Sequence, residues 1–145
     1  MLRSRPVVVT ATVLYLAFIG VVTLGPQPVD SSDRGWVHSV VVWLAQSDLT
    51  AWITYDLIEF AANIGLFVPL GALLLHLLGR RRWWLVLAVG FALSCGIELL
   101  QLVLPARVTD VRDVLANTLG TAMGIALALL PRSIARQRTV RQEFP

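Results

Sequence analysis

Four apolar runs divide the chain, at about Pro6 to Leu24, Leu57 to Leu78, Trp83 to Leu104 and Val114 to Leu130. Each is close to the ~20 residues an α-helix needs to cross a hydrocarbon core, and far beyond the ~10 of a membrane-barrel strand. The pattern therefore predicts four helices and no strand. Helix-ending residues agree with it: Gly25-Pro26 closes the first run, Gly79 with Arg80-Arg81-Arg82 the second, Pro105 the third and Pro131 the fourth. The fold class that follows is all-α, an integral membrane four-helix bundle.

The longest connection is the outer loop 27–56. Within it, Trp36 to Leu44 is apolar but too short to cross, and carries tryptophan near both ends. This predicts a short helix lying along the membrane surface. Asp30 and Asp33 before it suit a helix N-terminus, and Trp52 and Tyr55 fall where an interfacial aromatic belt is expected. His38 reads as a solvated interfacial histidine rather than a ligand.

Composition narrows the class further. The chain has 145 residues, 57% hydrophobic and only 14% charged, against about 25% charged in ordinary soluble domains. Its mean hydropathy is +0.74. A soluble globular domain is excluded, and nucleic acid is not an expected partner. All 12 basic residues are arginine. Nine of them, Arg3, Arg5, Arg80 to Arg82, Arg132, Arg136, Arg138 and Arg141, fall on one side of the four spans, which places both termini in the cytoplasm. A cleaved signal peptide is the rival reading of residues 1–24. The apolar stretch is long for one, and no small-x-small site follows it. Residues 1–131 thus read as one membrane domain, and 132–145 as an Arg-rich cytoplasmic tail held against anionic lipid. Lone Cys95 allows no intramolecular disulfide and reads as a small packing residue.

Against this background the polar residues stand out, because an acid at the middle of a membrane helix costs roughly 2.5–3.5 kcal/mol. At about 100° per residue, Glu59 and Asn63 share a face at the outer end of the second helix. Ser94, Glu98 and Gln101 form a stripe on the outer third of the third, and Asp113, Asn117, Gly120 and Gly124 fall in one sector of the fourth, with Asp110 beside it. With alternating helix directions these groups lie at one depth. One polar pocket open to the outer face is predicted, with Arg107 or Arg112 supplying positive charge.

Simpler roles compete for several of these residues. Asp56-x-x-Glu59 and Asp110-x-x-Asp113 each resemble a capping box. Asn63, Gln101 and Asn117 suit interhelical hydrogen bonds, Gly120-x-x-x-Gly124 is a close-packing motif, and Pro69 kinks the second helix and frees the Gly65 carbonyl. His76 reads as a packed or interfacial histidine. Glu98 lies some 15 residues into its helix, beyond any N-cap, and with Asp113 is the candidate acid or base. No metal-ligand set and no cofactor motif is evident, and no nucleophile accompanies the acids.

The ordered set Asn63-x-x-x-Phe67-x-Pro69-x-Gly71, Glu98-x-x-Gln101, Arg107, Asp110, Asp113, Asn117 and Gly120 resembles the pattern of the VanZ-like membrane protein family, over about residues 59–124. The resemblance implies a multi-pass protein of bacterial membranes with a cell-envelope role, in a family named for a protein linked to teicoplanin resistance. It supplies no reaction. Three readings follow. The first is recognition of a lipid-linked wall intermediate or glycopeptide-type ligand without catalysis. The second is an enzyme acting on such a headgroup, with Glu98 or Asp113 as base and Arg107 as anion contact. The third, a small exporter, ranks last because the acids cluster at the outer end rather than the midplane. Membrane lipid is an expected partner, and four helices alone are compatible with a homodimer.

Overall fold

In the computed structural model, residues 4–25, 39, 42–44, 46–104 and 110–130 are described. Four long α-helices carry most of them: α1 (Ser4–Leu24), α2 (Tyr55–Leu78), α3 (Trp83–Gln101) and α4 (Val111–Leu129). Arg80–Arg82 form a single 3-10 turn between α2 and α3. No strand occurs among the described residues. Positions 39 and 42–44 are helical. The rest of the expected surface helix, with Trp36 and His38, lies outside the described residues, as do Asp30, Asp33, Pro105, Arg107, Pro131 and the tail.

Two helices begin earlier than their apolar runs because a capping side chain precedes each. Thr54 caps α2, its hydroxyl accepting from the Leu57 N–H at 3.3 Å. The expected capping box of Asp56 and Glu59 is thereby displaced: Asp56 sits in the first turn, where the helix dipole favours an acid. Asp110 caps α4. The far end of α2 is set by Gly79, whose φ of +89° is open to glycine alone at little strain, and whose N–H reaches the Leu75 carbonyl at 2.9 Å.

Packing is inverted relative to a soluble protein. Thr12, Ser94, Gln101, Asn117 and Thr121 are buried, while Val13, Leu14, Phe18, Val21, Phe91 and Leu99 are exposed. Apolar side chains outside and small or polar ones inside suit a hydrocarbon solvent, in which close approach and hydrogen bonds hold helices together. Three segments, Arg5–Leu24, Tyr55–Leu78 and Arg80–Gln101, are long and apolar enough to cross a membrane. Helix α4 falls short of that standard because Arg112, Asp113 and Asn117 occupy its first half.

The closest pair is α2 and α4. Gly120 faces the Ile64 carbonyl, Gly124 the Val68 carbonyl, and Thr121 fits between Gly71 of α2 and Gly90 of α3. Phe67, Leu70, Ile19 and Ile97 fill the core on the α1 side, and Leu75, Val86 and Ile125 fill the other end. Arg80 donates to the Ala128 carbonyl at 3.0 Å and to that of Leu129. This ties the end of α4 to the arginine turn, where cations meet the negative end of a helix dipole.

Pro69, inside α2, lacks the N–H that would serve the Gly65 carbonyl. One residue on, the Leu66 carbonyl accepts from the Tyr15 hydroxyl at 2.9 Å, which joins α1 to α2 at this turn. Tyr15→Phe deletes that bond alone. It is expected to cost about 1 kcal/mol, read as a fall of about 2–4 °C in the unfolding temperature of the reconstituted protein.

Candidate functional site

At the end opposite the arginine turn, the C-terminus of α3 and the N-terminus of α4 meet through an arrangement that the sequence does not announce. In a capping box the third helical residue bonds back to the N–H of the cap. Here Asp110 is the cap and its carboxylate accepts from the Arg112 N–H at 2.8 Å. Its own N–H, however, goes to Glu98 Oε2 at 3.1 Å. Glu98 of α3 thus completes the cap of α4 from another helix. Asp113, the third helical residue, turns instead to α2 and accepts from Asn63 Nδ2 at 2.8 Å.

One turn deeper, Asn117 Nδ2 donates to the buried Ser94 hydroxyl at 2.9 Å. Asn117 is 3% exposed, and its Oδ1 is buried without a hydrogen-bond partner among the described residues. Such an orphan acceptor costs about 1–3 kcal/mol. The third amide, Gln101, donates to the Thr23 carbonyl at 2.9 Å and so ties the end of α3 to the end of α1. These bonds place the C-terminal ends of α1 and α3 beside the N-terminal ends of α2 and α4.

Between them lies a cavity of about 140 Å³, lined by Glu59, Asn63, Glu98, Gln101, Asp113 and Asn117, with Val22, Thr23 and Ile97 completing the wall. A shallower neighbour of about 100 Å³ is bounded by Asp56, Glu59, Asp110, Arg112 and Asp113. Of the eight residues expected around one pocket, six line the larger cavity. Asp110 caps α4 and borders the smaller one, and Arg107 lies outside the described residues.

Of the two arginines expected to supply positive charge, Arg107 lies outside the described residues and Arg112 is placed beside the second cavity. Arg112 faces the smaller cavity and pairs with Asp56 at 3.7 Å, both side chains well exposed, so the pair contributes little. Among the described residues the larger cavity is lined by three carboxylates and no arginine. Nor do three or more His, Cys, Asp or Glu side chains among them converge as a metal set. Cys95 is free and half-buried, and His76 Nδ1 lies 2.8 Å from the Ala72 carbonyl of its own helix.

Sequence reasoning missed the α1 contribution, since a backbone carbonyl at Thr23 and an apolar Val22 leave no mark in a pattern of polar residues. It also missed Thr121. That residue is fully buried, its hydroxyl donating to the Asn117 carbonyl at 2.9 Å, and it steadies the turn that presents the orphan amide.

A family model described as VanZ/LLP1 matches residues 12–132 of the chain. No curated protein and no solved structure matches it.

Proposed function

The chain belongs to the VanZ/LLP1 family, and from that premise we propose that it is a multi-pass protein of the bacterial cytoplasmic membrane whose outward-facing pocket recognises an envelope ligand. That ligand is the polar head of a lipid-linked wall intermediate or of a glycopeptide-type compound. The observation that carries the reading is the cavity at the shared ends of α1 to α4, whose lining includes Asn117, a residue with a buried Oδ1 that has no hydrogen-bond partner among the described residues. A buried polar atom without a partner calls for a ligand or water to satisfy it.

The bilayer placement has separate support. Helix α4 spans roughly 28 Å at about 1.5 Å per residue, near the ~30 Å of a hydrocarbon core. Its polar and glycine face is turned inward, and Leu115, Leu119, Met123 and Leu127 present an exposed apolar stripe at four-residue spacing. It therefore serves as the fourth crossing of a bundle with both termini inside. Trp52 and Tyr55 at the cavity end and Trp83 and Trp84 at the arginine turn are exposed, which suits two interfacial belts. The arginine turn then faces the cytoplasm, and the helical positions 39 and 42–44 lie on the outer face.

The second reading is an enzyme acting on the same headgroup with Glu98 or Asp113, both in the cavity lining, as base. Among the described lining residues the hydroxyl is that of Thr23, and its Oγ1 donates to the Ile19 carbonyl of its own helix at 2.8 Å.

Glu98→Gln and Asp113→Asn test the reading, because each amide retains an oxygen able to accept the bond from Asp110 or Asn63 while losing the charge. Both variants are expected to reach normal membrane abundance and to lose any shift in teicoplanin susceptibility that the parent confers on a host strain. Full phenotype at normal abundance in both variants would remove the charged pocket from the protein's function.

A further inference from the structure

We infer that the arginine turn between α2 and α3 binds the headgroup of an anionic phospholipid, an inference that shares the bilayer placement given above and nothing of the pocket. The three arginines divide their roles. Arg80 is engaged within the bundle, since its guanidinium donates to the Ala128 and Leu129 carbonyls at the end of α4. A 3-10 turn sets successive side chains about 120° apart, so with Arg80 turned to α4 the next two are directed to other sides. Arg81 and Arg82 are exposed and form no ion pair among the described residues.

Charge at this end is of one sign. Gln101 at the end of α3 meets Thr23 at the end of α1, so these two helices run in the same direction and Arg5 opens α1 at the end where the turn lies. The acids of the four helices, Asp56, Glu59, Glu98 and Asp113, sit at the other end. Over the whole sequence, nine of the 12 arginines fall on the side of the turn, and of the nine acids Glu143 alone does. One carboxylate can offset one guanidinium at most, so the positive surplus does not depend on where the tail lies.

The position of Arg81 and Arg82 on the helix adds to the case for an anion. Arg82 is the N-cap of α3, and no side chain caps that end, so both cations sit at the positive end of a helix dipole, where they are disfavoured. A phosphate diester offsets both effects, because guanidinium grips it through paired hydrogen bonds and a helix N-terminus attracts it. Depth selects a lipid over a soluble polyanion. Trp83 and Trp84 follow at once and are 50% and 59% exposed, as residues of an interfacial belt are, and the apolar length of α3 begins with them. Arg81 and Arg82 therefore lie at the level of the phosphates, in reach of a headgroup whose acyl chains run along α3.

The test compares the full chain in phosphatidylcholine nanodiscs with the same chain after a third of the lipid is replaced by phosphatidylglycerol, followed by tryptophan fluorescence on heating. Phosphatidylglycerol is expected to raise the unfolding temperature by about 5 °C, and about 1 M salt to remove most of that rise. The double variant Arg81→Gln with Arg82→Gln should unfold at the parent temperature in phosphatidylcholine and lose at least half of the rise. Arg80→Gln, which breaks the tie to α4, should instead unfold at a lower temperature in both lipids and keep the rise. Equal unfolding temperatures of the parent in the two lipids would overturn the site, as would a double variant that kept the full rise. Stabilisation by an added oligonucleotide in phosphatidylcholine, with no response to phosphatidylglycerol, would make the turn a docking site for a soluble polyanion and overturn the lipid. None of these outcomes bears on Glu98 or Asp113, whose susceptibility phenotype tests the pocket separately.

Discussion

Gly124→Ala is expected to destabilise the protein by about 3 kcal/mol, the upper end of what overpacking costs, and Gly120→Ala by a similar amount. A Cβ at Gly124 would run into the backbone carbonyl of Val68, and one at Gly120 into that of Ile64. Side chains can rotate away from an added methyl group, but a carbonyl inside a helix cannot. Relief comes only when α4 moves off α2, and that movement opens the seam on which Asn63 and Asp113 meet. Gly96→Ala is the control, since nothing lies within 4 Å of a Cβ there. Removing a helical glycine at an open position should stabilise by about 0.5–1 kcal/mol. Thermal unfolding of the three variants in one nanodisc composition checks the pair of signs. Equal, small effects at Gly124 and Gly96 would mean that the α2–α4 seam does not hold the helices together.

That contrast shows what a single sequence can reveal. Gly120 and Gly124 are legible as a close-packing motif from their spacing, but nothing in the spacing says that the facing surface is the Ile64 to Gly71 stretch of α2. Run lengths fixed the interiors of all four helices. The ends differ because helices extend into polar residues wherever a cap allows it: Thr54 carries α2 back to Tyr55, and Asp110 carries α4 back to Val111. In the other direction, α3 stops at Gln101 rather than running on to Leu104, and Gln101 turns to α1.

The site divides in the same way. Helical periodicity puts Glu59 with Asn63, Glu98 with Gln101, and Asp113 with Asn117 on common faces, because 100° per residue needs no knowledge of neighbours. Partner choice depends on how each helix is rotated against the next, and no pattern within one helix encodes that. Glu98 therefore looked like an acid without a structural role until the Asp110 N–H was found on it. Its bond is structural, and its charge is what the amide substitutions isolate.

Asn117 separates function from structure most sharply, and Asn117→Leu is expected to abolish any shift in teicoplanin susceptibility that the parent confers while leaving stability within about 1 kcal/mol of the parent. Two terms nearly cancel. The variant loses the bond to Ser94, worth about 1 kcal/mol, although the Ser94 hydroxyl can turn to a carbonyl of its own helix one turn back, as helical serines do. It also removes the orphan Oδ1, whose burial costs about 1–3 kcal/mol, and leucine keeps the γ-branched shape of asparagine beside a cavity that has room for its extra volume. If the amide served only to join α3 and α4, its loss would be felt in unfolding temperature and nowhere else. If it completes the cavity, any effect on glycopeptide susceptibility should vanish. Both readouts come from one variant, so they divide cleanly: lost stability with retained response makes Asn117 a helix-packing residue, and retained stability with lost response makes it part of the binding surface.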